Sequence, residues 1–154
     1  MVRNRVTTGL VWFFLCAAGL SSCTSITANP LQAGVSKVRI IENPKVIVDD
    51  YLPTIRECFG ARGIETEVAA EPTAAADEVT MTYTALRTWD ITTFLSNAHV
   101  ILTRNGTEIG SVYFKLTGGG GLDLHKFAST KSKVKRMCDK LLVNYPTKEA
   151  APNP

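Results

Sequence analysis

The residues able to do chemistry are few. The chain has four cysteines, Cys16, Cys23, Cys58 and Cys138, and two histidines, His99 and His125. Neither histidine lies at metal-ligand spacing from another histidine or a cysteine, so no metal site is expected. His125, with Asp123 and Lys126 beside it, offers an acid–base group. No nucleophile in a recognisable setting accompanies it, so no catalytic residue is assigned and the protein is not read as an enzyme. Four consecutive glycines, Gly118, Gly119, Gly120 and Gly121, precede that cluster. Successive backbone amides can cradle an anion. A phosphate loop, however, requires G-x-x-x-x-G-K-[ST]. Counting from Gly118, the sixth residue is Asp123, and no Gly-Lys pair follows. No nucleotide or other cofactor is expected. What remains is either a connection between two elements or a binding loop formed by Gly118–Gly121, Asp123, His125 and Lys126.

Cys23 has a more specific setting. Arg3 and Arg5 precede Val6–Leu20, a run without a charged residue. A basic start followed by a short apolar run is a secretory signal, and the run is shorter than the ~20 residues a spanning helix needs. It ends Leu20-Ser21-Ser22-Cys23, which resembles the lipobox of bacterial lipoproteins. That resemblance implies removal of residues 1–22 as a lipoprotein signal peptide. It also implies acylation of Cys23 with palmitate-type chains and anchoring in a membrane. In the sorting rule of that family an aspartate after the cysteine retains the protein in the inner membrane. Thr24 therefore points to the periplasmic face of the outer membrane. Three chains at ~0.8 kcal/mol per buried CH₂ exceed what stable anchoring requires.

Removing the signal changes the electrostatics. Seventeen basic residues against fourteen acidic give +3. Without Arg3 and Arg5 the balance is fifteen to fourteen, or +1. Such a surface does not recruit nucleic acid, and none is expected as a partner. The remaining chain is one domain's worth. Residues 23–35, small and polar with one proline and one glycine, read as a flexible tether. Residues 146–154, with three prolines, read as a disordered tail. The folded domain is placed at 36–145.

Within it, Val38 and Ile40 alternate with Lys37 and Arg39 as in a strand. Residues 48–63 carry Tyr51, Leu52, Ile55, Cys58 and Phe59 at helical spacing, with Asp49 or Asp50 available as a cap, Pro53 near the first turn and Gly63 at the exit. Residues 64–69 alternate again. Residues 78–91 set Val79, Met81, Tyr83, Ala85 and Trp89 against Thr80, Thr82, Thr84 and Thr88, the pattern of a half-buried strand. Residues 98–116 form a hairpin about Asn105-Gly106, the dipeptide suited to a turn with two positive φ angles. The register expected from that turn pairs Arg104 with Thr107, Leu102 with Ile109 and Val100 with Ser111. It gives the hairpin two apolar faces, one carrying Tyr113 and the other Val112 and Phe114. Helices on one side would cover only one of them, so the second is expected to be partly exposed as a dimer or partner surface. A second helix, about 130–144, aligns Val134, Met137, Cys138, Leu141 and Leu142, with Ser129 or Thr130 as cap. Lys131, Lys133, Lys135 and Arg136 read as its solvated face. The order β-α-β-β-β-β-α predicts an α+β fold, one mostly antiparallel sheet with two helices on one face.

The stretches TYTALRTWDITTFLSNA and LTGGGGLDLHKFASTKSKV resemble a family of uncharacterised small proteobacterial lipoproteins, over about residues 36–144. The resemblance carries no activity. In element order and cellular address the chain is also similar to small envelope lipoproteins such as the lipoprotein subunit of the lipopolysaccharide translocon. The function expected is a non-catalytic accessory or assembly role toward an envelope protein partner or a second copy. The alternative is a small-ligand or lipid-binding lipoprotein using the Gly118–Gly121 loop. Cys58 and Cys138, each on an apolar helix face in an oxidising compartment, are expected to form a disulfide.

Overall fold

The computed structural model describes residues 24–72, 77–90, 92–117 and 128–147. The elements are β1 (Thr24–Asn29), β2 (Lys37–Ile41), α1 (Tyr51–Gly60), β3 (Glu65–Ala69), β4 (Val79–Asp90), β5 (Thr92–Arg104), β6 (Thr107–Leu116) and α2 (Thr130–Leu141). The six strands form one mixed sheet in the order β1-β6-β5-β4-β2-β3. From β1 to β4 the pairings are antiparallel. β2 runs parallel to both β4 and β3, because α1 is the crossover that a parallel β2–β3 pair requires. The expected α+β class and the element order over 36–145 are present, with a further strand in front.

That strand corrects the tether. Ile26 and Ala28 alternate with Ser25 and Thr27, and β1 pairs with β6 along its whole length, from Thr24↔Leu116 to Asn29↔Ser111. The segment after it is also fixed. Leu31 is fully buried, its N–H donates to the Leu141 carbonyl at 2.8 Å and Gln32 N–H donates to the Ile109 carbonyl at 3.0 Å. The Tyr145 hydroxyl accepts from Val35 N–H at 2.8 Å and donates to the Gln32 carbonyl. This segment passes so close to β6 that a Cβ on Gly110 would stand 2.8 Å from Leu31 Cα. Small polar residues lack the contrast that announces a strand, but an open sheet edge with free N–H and C=O groups supplies their partners.

The hairpin register is the second correction. Asn105 and Gly106 take φ of 52° and 77°, as the turn demands, and Arg104 pairs with Thr107. A bulge between Leu102 and Thr103 then makes Ile109 an extra residue, so Leu102 pairs with Gly110 and Val100 with Val112. One extra residue exchanges the faces of a strand. Val112 and Phe114 therefore join Val100 and Leu102 in the core, and Tyr113 turns outward. The second face is left with His99, Ile101, Ser111, Tyr113 and Lys115. The hairpin therefore has one apolar face, not the two expected, and no second one to serve as a partner surface.

Both helices cover the core face. α1 buries Tyr51, Thr54, Ile55, Cys58 and Phe59. Its first turn has no side-chain cap from Asp50. Thr54 Oγ1 instead donates to the Asp50 carbonyl at 2.6 Å. Gly63, at φ 76°, turns the chain out toward β3. α2 is capped by Ser129, which accepts from Ser132 N–H at 3.2 Å, and buries Val134, Met137, Cys138 and Leu141. Lys131 and Lys135 fork across to Glu57 of α1 at 2.9 and 3.0 Å.

Candidate functional site

Of the residues singled out in the sequence, Cys23 and the loop Gly118–Gly121, Asp123, His125 and Lys126 lie outside the described residues, as do the signal peptide and residues 148–154. Three other places gather residues that could form a site.

The first is the cysteine pair. α1 and α2 do bring Cys58 and Cys138 face to face in the interior, but the expected disulfide is not formed; both are free, buried thiols. The hydrogen bond with Cys138 holds the Cys58 thiol below its usual range, helped by Arg62 and Lys135 and opposed by burial. The same bond, with burial, pushes Cys138 up. Cys58 is thus the better nucleophile, yet only 5% of it is exposed. A substrate cannot reach it, and the pair acts as packing between the helices. Close by, burial raises the Tyr51 hydroxyl, which has no hydrogen-bond partner among the described residues. Its ring packs on Tyr83 at 5.7 Å between centroids.

The second is a shallow cleft of about 210 Å³ beside β2 and the β5–β6 turn, lined by Lys37, Arg39, Asp77, Glu78 and Arg104. Lys37, Arg39 and Glu78 are ion-paired within the protein, whereas the buried Nε of Arg104 has no hydrogen-bond partner among the described residues. Arg39 bonds Glu78 at 2.7 Å and Glu67 at 3.2 Å, and Lys37 bonds Glu67 at 2.9 Å. Asn105 holds Asp77, its Nδ2 donating to Oδ1 at 2.9 Å. An open ionic cleft is unlike the enclosed apolar cavity that a carrier of lipids needs. Among the described residues, no cluster of three His, Cys, Asp or Glu side chains could hold a metal ion. None of the described helices is long and apolar enough to cross a membrane.

The third is the far end of the β4–β5 hairpin. A bulge between Leu86 and Arg87 leaves Ser96 as the extra residue on β5. Ser96 Oγ donates to the Leu86 carbonyl at 3.2 Å and accepts from Thr88 Oγ1 at 2.8 Å, which fastens the kink. Below it, Phe94 and Leu95 are buried in succession. Above it, Leu86 and Trp89 are 61% and 74% exposed. The kink is closed from the helix side by Lys133. Read from sequence as part of a solvated face, Lys133 is in fact buried: its ammonium donates to the Leu95 carbonyl at 3.1 Å and sits 5.4 and 5.8 Å from the ring centroids of Phe94 and Phe114. A lone lysine among polar neighbours gives no sequence signal of this. The remaining candidate, His99, lies on the open face with its ring edge-to-face on Tyr113 at 5.5 Å.

No family model matches the sequence, and no characterised protein matches it significantly. Among solved structures, the fold is similar to the PelC dodecamer from Paraburkholderia phytofirmans. The two share 15% identity and a TM-score of 0.51, over 77% of this chain and 97% of that one. A point variant of the same dodecamer in another crystal form aligns at 12% identity and a TM-score of 0.48, covering 77% and 98%. At this identity the likeness is one of fold.

Proposed function

We propose that the chain is a lipoprotein held by acylated Cys23 at the periplasmic face of the outer membrane, and that its α+β domain binds rather than catalyses, serving the assembly of an envelope complex. The observation that carries this is the junction at Cys23. Two arginines, an uncharged apolar run and Leu20-Ser21-Ser22-Cys23 are followed at once by a folded strand beginning at Thr24. The resemblance of residues 36–144 to small proteobacterial lipoproteins supports the same address. The burial of the cysteine pair and the ion pairing of Lys37, Arg39 and Glu78 in the cleft favour binding over chemistry. PelC, which shares the fold, is described as a dodecamer. That supports self-association as the form the binding takes, with envelope proteins as further partners.

The test is Cys23→Ala in the full chain. The variant is expected to leave the membrane fraction for the soluble periplasm. Retention in the membrane with a mass changed only by the substitution would refute the anchor. Light scattering of the detergent-solubilised wild type addresses assembly, where a mass of one chain would remove self-association.

A further inference from the structure

The β4–β5 arm and the N-terminus emerge from the same end of the sheet. β1 starts at Thr24, opposite Leu116, the last residue of β6. On β5, Lys115 is level with Asn97, so Thr24 stands about level with Ser96. β5 continues past that level to Thr92, paired with Asp90 on β4. Four further residues at ~3.3 Å each carry the arm about 13 Å beyond the start of β1. The residue joining Thr24 to the acylated position is Cys23 itself, and one residue spans at most ~3.6 Å. With β1 paired from its first residue, the domain has no slack with which to stand away from the membrane.

A headgroup layer is ~5–7 Å deep on each side of the hydrocarbon. An arm that overhangs the anchor point by twice that distance must meet it. What the arm presents there is Trp89, exposed, with Arg87 two residues before it, also exposed. Tryptophan is the residue that settles at the membrane–water interface, with an apolar ring and one N–H donor. A guanidinium beside it suits lipid phosphates. By strand alternation Arg87 and Trp89 follow the face of Ala85, while the exposed Thr88, Thr92 and Thr93 give the rest of the arm hydroxyls suited to a headgroup layer.

We infer that the β4–β5 arm is a second membrane contact, with Trp89 lying in the headgroup layer of the leaflet that holds the lipid on Cys23. This rests on the lipoprotein reading. It makes the domain fixed in tilt rather than swivelling on its anchor, so that one end of the sheet always faces the bilayer.

The experiment uses the mature acylated chain in vesicles of phosphatidylethanolamine and phosphatidylglycerol. The chain has two tryptophans, and Trp12 leaves with the signal, so Trp89 emits alone. Its emission is expected to shift to the blue on vesicles. Lipids brominated near the headgroup should quench it at least about twofold, as for an interfacial indole. Thr93→Asp, at the exposed position paired with Trp89, should reduce that quenching while the acyl chains keep the protein on the vesicle. Emission unchanged from water and insensitive to brominated lipid would overturn the arm contact and leave the lipoprotein reading standing. A blue shift that needs no lipid and grows with protein concentration would assign the arm to a second copy and equally overturn it. A mature chain whose mass shows no acyl groups would instead sink the lipoprotein reading, and the arm contact with it.

Discussion

The inner and outer halves of the β4–β5 hairpin are built from the same two strands and obey different rules. In the inner half Met81, Tyr83, Val100 and Leu102 alternate cleanly with polar residues, and every one of the four is buried under the helices. In the outer half the alternation persists on β4, but α2 reaches only to Phe94 and Leu95 through Lys133, and Trp89 meets solvent. Period-two patterning reports which face a side chain takes. Whether anything covers that face depends on elements far away in sequence. An apolar residue on the proper side of a strand is a core residue only if a helix reaches it.

This contrast can be broken most forcefully in the inner half. Leu102→Ala removes a fully buried side chain and should cost about 2–5 kcal/mol of unfolding free energy. Trp89→Ala in the outer half, at an exposed position, should stay within about 0.5 kcal/mol. Urea unfolding of both variants checks the pair. Equal losses would mean that the arm is packed in solution.

The boundary between the halves is sharpened at Lys133. Lys133→Ala strips the Leu95 carbonyl of its donor and leaves Phe94 and Phe114 without the aliphatic stem between them. A buried acceptor left unpaired costs about 1–3 kcal/mol. Lys133→Met keeps the stem and should recover part of that loss. Thermal melts of the two variants separate packing from the hydrogen bond.

A smaller effect is expected where α1 and α2 meet the solvent. Lys131 and Lys135 hold the Glu57 carboxylate below its usual range. A lowered carboxylate stabilises the fold above its unfolded value of about 4.3. That contribution fades as pH falls through the lower folded value. Glu57→Gln should therefore reduce stability slightly at neutral pH and narrow its gap to the wild type in acid. Both charges are half exposed, so raising the salt should narrow the gap further. A gap that widens in acid would contradict the ion pair.

Much of this fold is legible because local chemistry and tertiary need agree. Asn105-Gly106 makes the turn it is suited to. Val38 and Ile40 face the core, and the apolar faces of α1 and α2 are those that spacing selects. The misses share a cause. β1 is a strand because β6 offers it an edge. The bulge at Ile109 and the kink at Ser96 reset faces by single residues, with no composition to mark them. Lys133 is buried because Leu95, Phe94 and Phe114 happen to gather around its first turn. Cys58 and Cys138 were rightly placed together, but proximity alone does not determine whether two sulfurs bond. Each of these is decided by residues distant in sequence. Of the candidate sites, Cys23 could be read from sequence because its signal is local and linear. The projecting arm could not, since only the strand register shows how far it overhangs β1.

The central claim is that this domain is anchored through Cys23. Its most direct test is the intact mass of the mature protein extracted from membranes, followed by fragmentation of its N-terminal peptide. The account predicts a chain beginning at Cys23 and carrying three acyl chains, two on a glyceryl group at sulfur and one on the new amino group. A mature chain that begins elsewhere, or one in which Cys23 carries no lipid, would contradict it.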